Sequence, residues 1–143
     1  MPEIIKKYPN HKLILTGGGY KKKYTWLINK GIVSKKYLYR LIFNSTCLCV
    51  PLKFGSGTRI KIIEALSLGA VVLSSAKGIE GLELLNKNPP YIFNNNNLTK
   101  KILSVIKNNK KVKKKSFNDR KYYLTKYSMR KNTLDFLKKI NFH

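Results

Sequence analysis

Thr46-Cys47-Leu48-Cys49-Val50-Pro51-Leu52-Lys53-Phe54-Gly55-Ser56-Gly57-Thr58-Arg59-Ile60-Lys61-Ile62-Ile63-Glu64-Ala65-Leu66-Ser67-Leu68-Gly69-Ala70-Val71-Val72-Leu73-Ser74 is the stretch on which the fold turns. Residues 46–50 form a continuous apolar run, which suits a strand covered on both faces. Residues 51–57 read as a loop and 59–68 as a helix, which Gly69 closes in the C′ position. Residues 70–74 are the next strand, so the stretch is a strand–loop–helix–strand unit with a parallel pair and a right-handed crossover.

The flanks extend this α/β pattern. Residues 3–8 read as a short helix ending at Pro9-Asn10, and residues 12–16 as a strand stopped by Gly17-Gly18-Gly19. Residues 24–28 are aromatic and β-branched, a second strand candidate. Ser34 is placed to cap a helix over 35–43, with Leu38, Leu41 and Ile42 at helical spacing. Downstream, residues 91–93 read as a short last strand and 98–108 as a helix with Leu98, Ile102, Val105 and Ile106 on one stripe. Lys110, Lys111, Lys113, Lys114 and Lys115 read as a solvated connector to two more helices, over 117–127 and 130–140. The expectation is one Rossmann-like α/β domain over 1–143: a parallel sheet flanked by helices, with a core at 2–94 and C-terminal helices at 97–140.

Composition limits the function classes. No apolar run reaches the length of a membrane span, and residues 1–7 carry no signal-peptide stretch, so a cytoplasmic location is expected. Two cysteines exclude a disulfide scaffold. The charge is extreme: 30 Lys and Arg against 6 Asp and Glu, a net +24. Such a field draws polyanions, whether nucleic acid, anionic lipid headgroups or a phosphorylated ligand. Twenty-six of the thirty are lysine, and Asn, Ile and Tyr are abundant too, which an AT-rich coding sequence also produces. Readers of nucleic acid lean on arginine, so no specific nucleic acid is expected as partner.

The chemistry concentrates between residues 55 and 64. Gly55 and Gly57 permit backbone conformations in which amide N–H groups turn inward, at a strand's carboxyl end and a helix's N-terminus. That position favours a phosphate, although a tight turn feeding a helix accounts for the glycines as well. Arg59 and Lys61 put cations where the helix dipole disfavours them, a local cost that a bound anion relieves. Ile60, Ile62, Ile63 and Leu66 share one face of the helix, with Glu64 at its edge. A half-buried carboxylate there suits a ribose diol, which offers two hydroxyl donors. The simpler reading is an ion pair with Lys61 at i−3.

Weaker candidates lie elsewhere. Cys47 and Cys49 point the same way on a strand but are too few for a tetrahedral metal site, and read as core. Glu80 and Glu83 follow the 70–74 strand, where they either contact a donor sugar or start a helix. Tyr122, Tyr123 and Tyr127 read as the buried side of a terminal helix, or as a platform for bases. His11 and His143 lack partners for a dyad or triad.

Val50-Pro51-Leu52, the run from Gly55 to Leu66, Gly69, Val71-Val72-Leu73-Ser74 and Lys77-Gly78-Ile79-Glu80-Gly81-Leu82 together resemble the donor-binding half of GT-B glycosyltransferases, most closely family 4, also called group 1. Pro2-Glu3-Ile4 through Gly17-Gly18-Gly19 is similar to that domain's entry helix and strand. The resemblance implies a site for a nucleotide-diphosphate sugar, transferred with retention and without a metal or other cofactor. It implies that Gly55, Ser56, Gly57 and Thr58 approach the diphosphate, that Arg59 and Lys61 neutralise it, that Glu64 holds the ribose and that Glu80 can reach the sugar. Many members carry a second glutamate where this chain has Ser56. The family's complete enzymes have two such domains, so an acceptor-binding partner domain on another chain is expected, and peripheral contact with an anionic membrane is compatible. The competing class is a non-catalytic polyanion-binding protein on a Rossmann-like scaffold.

Overall fold

The structure, a computed structural model, describes residues 1–54, 59–85, 92–94 and 96–128. Pro2 opens the first helix, α1 (Pro2–Lys7), at a position where its missing N–H removes no intrahelical bond. Strand β1 (Leu13–Leu15) follows and pairs in parallel with β2 (Leu27–Asn29), Ile14 opposite Ile28. The second strand is shorter than the 24–28 expectation and shifted along the chain. The Leu27 N–H donates to Tyr24 O in a turn, and the Tyr24 and Trp26 rings stack with centroids 4.5 Å apart. Turn and stacking override the β propensity of those residues.

Helix α2 (Lys35–Asn44) starts where expected, with Ser34 Oγ accepting from the Tyr37 N–H at 3.3 Å. Strand β3 (Leu48–Val50), helix α3 (Ile60–Ser67) and strand β4 (Val72–Ser75) form the expected unit, and β3 and β4 pair in parallel. The α3 C-terminus closes as a Schellman motif: Gly69 N–H donates to Leu66 O and Ala70 N–H to Ala65 O, with Gly69 at φ +76°. A one-turn helix, α4 (Ala76–Ile79), is capped by Ser75 Oγ, which accepts from the Gly78 N–H at 3.2 Å. Strand β5 (Ile92–Phe93) adds to β4, again in parallel. The chain is thus mixed α/β, with a two-stranded sheet β1–β2, a three-stranded sheet β3–β4–β5, and helices flanking them.

Helices α5 (Leu98–Lys107) and α6 (Asn109–Lys126) complete the described residues. Here the structure corrects the sequence reading. The lysine block 110–115 is the first third of α6, continuous with the helix expected at 117–127. Lysine is a good helix former, and Val112, seated on the core, pins the turn that the lysines surround. The helix expected over 130–140 lies outside the described residues.

Alternation along β4 builds both layers. Val72 joins Ile42, Ile62, Ala65 and Ala70 on the face covered by α2 and α3. Val71 and Leu73 join Phe93 and Val105 on the other face, with Val112 of α6 and both cysteines packed against them. Burying a side chain of this size fully contributes about 1.5–3 kcal/mol, so both clusters, with Ile4 of α1 and Tyr123 of α6 buried outside them, stabilise the fold. The buried face of α3 differs from its expected stripe: Ile62 and Ala65 are buried, whereas Ile60, about 160° around the helix from Ile62 at 100° per residue, is 61% exposed.

Candidate functional site

The carboxyl ends of β3 and β4 are tied together by serines. Ser75 Oγ donates to Leu52 O at 2.6 Å, and Ser74 Oγ lies against Val50 O at 3.4 Å and Ser75 O at 3.1 Å. Residues 50–52, the approach to the glycine loop, are thereby fixed to the tip of β4. The expected phosphate contacts Gly55, Ser56, Gly57 and Thr58 lie outside the described residues, between Phe54 and Arg59. Arg59 is the N-cap residue of α3, and its guanidinium reaches Lys77 O at 3.5 Å. No acid occupies the first turn of α3, and Lys61 is exposed there. Lys77 pairs with Glu80 at 2.5 Å, three residues on. That pairing, with a smaller contribution from Arg59, holds the Glu80 carboxyl below its ordinary value. Glu80 therefore follows the short helix α4 and does not start one, and it joins Arg59 and Lys77 in a charged group beside the end of β4.

Glu64 sits on the side of α3 that faces α2. Its Oε1 accepts from the Tyr39 hydroxyl at 2.6 Å and pairs with Lys35 Nζ at 3.1 Å, and the side chain is a quarter exposed. The Tyr39 hydrogen bond lowers the Glu64 pKa most, burial opposes it, and Lys35 adds to the lowering. The same contacts raise the Lys35 pKa. The expected i−3 partner, Lys61, contributes only weakly through space. The ion pair belongs to α2 instead, because two helices packed side by side bring Lys35 closer than the neighbour on Glu64's own helix. Both contacts fall on Oε1, so Oε2 has no partner among the described residues.

Tyr39 and Lys35 escaped the sequence reading, which followed α2 only for its apolar face. Their spacing shows only that the two belong to one face, not that Glu64 meets them. Residues four apart share a helix face, and Lys35 Nζ lies 5.4 Å from the Tyr39 ring centroid. The opposite face of α2 borders an open hollow of about 290 Å³ lined by Ile14, Tyr37, Arg40, Leu41, Asn44 and Ser45. At 100° per residue that hollow points away from Lys35 and Tyr39, so it is no part of the Glu64 arrangement.

The remaining candidates resolve as structure. Cys47 and Cys49 pack on the second core cluster with their sulfurs 4.0 Å apart. The Cys49 contact and burial push the Cys47 thiol far up. Glu83 turns to α6: it pairs with Lys126, and its backbone N–H and C=O both bond the Tyr127 hydroxyl at 2.7 and 3.1 Å. The Tyr123 hydroxyl accepts from the Leu85 N–H at 3.3 Å with its ring buried. These two tyrosines anchor the 83–85 segment, and Tyr122 meets Tyr123 edge to face. His11 packs edgewise on Tyr8, and His143 lies outside the described residues. Among the described residues no helix is long and apolar enough to cross a membrane. Neither a protein-family model nor a curated protein matches the chain.

Proposed function

We propose that this chain is the donor-binding half of a GT-B-type glycosyltransferase of the family 4 kind, which binds a nucleotide-diphosphate sugar and transfers the sugar with retention to an acceptor held by a partner domain. The observation that carries the reading is the state of Glu64. Its carboxylate is ionised, anchored through Oε1 by Tyr39 and Lys35, and has Oε2 left to accept hydroxyl donors. A ribose diol supplies two such donors, and hydrogen bonds to a charged acceptor contribute about 1.5–3 kcal/mol each. An anchored carboxylate loses little conformational freedom on binding, which favours a small, rigid ligand.

In this reading the diphosphate lies at the N-terminus of α3, where the free N–H groups favour an anion. Arg59 and Lys61 then offset the charge that grows on the diphosphate as the glycosidic bond to it breaks. Gly55, Ser56, Gly57 and Thr58 supply backbone N–H groups, and Glu80, beside Lys77 and Arg59, faces the sugar. The chemistry is metal-free, with the protein's cations in the place a metal would take.

Calorimetric titration with UDP, GDP and ADP at low and high salt, beside Glu64→Gln, tests it. Glutamine still accepts the Tyr39 hydrogen bond, so the local fold is kept. The expected result is a preference for one nucleotide that survives high salt and weakens at least tenfold in the variant. Equal binding of all three that fades with salt, unchanged in the variant, would overturn the reading, because it describes a diffuse cationic surface.

A further inference from the structure

We propose that the outward face of α6 docks on the surface of an anionic lipid bilayer. The inference is independent of the nucleotide site. It rests on the correction reported above, because a connector would scatter lysines 110–115 whereas a helix aligns them.

The inward side of α6 is defined by Val112 on the second core cluster and by buried Tyr123. At 100° per residue, Lys110, Lys114 and Lys121 fall within about 40° of one another and opposite those two. All three are exposed. Leu124 lies beside them, 53% exposed, and completes a ridge at 110, 114, 121 and 124, while Phe117 stands at its flank with its ring against Gly69 at the end of α3. Spacings of four, seven and three residues keep a ridge straight along a helix. Asp119, the single acid between residues 98 and 126, lies on the side of α6 opposite the ridge, within about 40° of Val112 and Tyr123. Arg120 caps the Phe117 ring at 3.5 Å, which adds a cation beside the aromatic.

The arrangement is costly for a helix in water. No acid occupies the first turn of α6, and Lys110–Lys114 and Lys111–Lys115 are like charges at i,i+4. A surface of negative charge removes that cost. The apolar side chain of Leu124 chooses between kinds of surface. An aliphatic Leu124 gains by entering the boundary between headgroups and acyl chains, and finds nothing equivalent on a phosphodiester backbone. A basic ridge with an exposed leucine standing in it therefore fits phosphatidylserine-type headgroups.

The test is co-sedimentation of the full chain with vesicles of phosphatidylcholine alone and of phosphatidylcholine with phosphatidylserine, at low and high salt. Three variants accompany it: Lys110→Gln/Lys114→Gln/Lys121→Gln, Lys21→Gln/Lys22→Gln/Lys23→Gln as an equal charge change in an exposed loop, and Leu124→Ser. Binding only to the anionic vesicles is expected, weaker by about a hundredfold in the ridge triple at roughly fivefold per lysine. The loop triple should stay within about threefold of wild type, because it removes the same charge without touching α6. Leu124→Ser should lose affinity at high salt as well as low. Equal losses in the two triples would overturn the proposal in favour of net charge alone. Mixed-sequence single-stranded RNA that displaces the vesicles and binds Leu124→Ser as well as wild type would overturn it in favour of nucleic acid.

Discussion

Gly78→Ala should destabilise the fold through a single collision, and Ser74→Ala should abolish the effect. Gly78 lies in α4, outside the left-handed region, so an alanine there is conformationally acceptable and would by helix propensity add up to about 1 kcal/mol. The added Cβ, however, falls far inside contact distance of Ser74 Oγ, and lies 3.4 Å from Val50 O. Ser74 is 2% exposed, so its hydroxyl has no open space to turn into. Moving it breaks the contacts to Val50 O and Ser75 O, worth about 0.5–1.5 kcal/mol each, and overpacking adds about 1–3 kcal/mol. After the propensity gain is subtracted, a net loss of about 2–3 kcal/mol is expected. Ser74→Ala alone should cost about 1 kcal/mol. In the double variant the nearest remaining contacts at that point are Val50 O at 3.4 Å and the Cβ of residue 74 at 3.5 Å, both ordinary distances. The double variant should therefore be no less stable than Ser74→Ala, a coupling of about 2 kcal/mol in urea unfolding. Additive losses, or a Gly78→Ala variant as stable as wild type, would refute the packing argument for this glycine.

Other outcomes follow from the same contacts. Gly69→Ala places a side chain at φ +76° with its Cβ 2.9 Å from the Phe117 Cα, so thermal unfolding should show a loss of at least about 1–2 kcal/mol; an unchanged midpoint would refute the close approach of α3's end to α6. Glu64 has a depressed pKa when folded, so its contribution is complete above the unfolded carboxyl range near pH ~4.3 and is lost as pH falls through the lower folded value. Wild type should accordingly lose more stability on acidification from about pH 5 to pH 3 than Glu64→Gln does, and parallel acid slopes would contradict the Tyr39–Glu64–Lys35 arrangement. Tyr127→Phe removes the hydroxyl that bonds both backbone groups of Glu83, and should lower stability by about 1 kcal/mol while speeding proteolytic cleavage near residues 83–85. Cys47, packed on the core with its thiol raised by Cys49 and by burial, should resist a thiol reagent until the chain unfolds; rapid labelling under native conditions would contradict its position.

What could be read from the residues was what local physics decides. Ser34 capped its helix, Gly69 ended another, and the unbroken apolar runs of β3 and β4 became a buried parallel pair. The failures lie where a tertiary partner overrides a local tendency. The β propensity of Tyr24 and Trp26 yielded to ring stacking and a turn, and lysines 110–115 became helical because Val112 had a core to join. At the candidate site, the position of Glu64 on the edge of α3 was legible from periodicity. Its partners were not, since Tyr39 stands 25 residues earlier and meets it only through helix packing.

The N-terminal pair β1–β2 shares no strand pairing with β3–β4–β5 among the described residues, and its connection, residues 16–26, contains no helix. Ile14 and Ile28, side by side on that pair, are 40% and 36% exposed, whereas Leu73 in the middle of β4 is fully enclosed. Cooperative unfolding units follow such divisions, so amide protons of β1 and β2 should exchange with solvent through local opening events well below the global free energy. Those of β4 should exchange only when the whole chain comes apart. The β1–β2 pair can then open while α1, whose Ile4 is buried and which packs on α5, stays with the body of the chain.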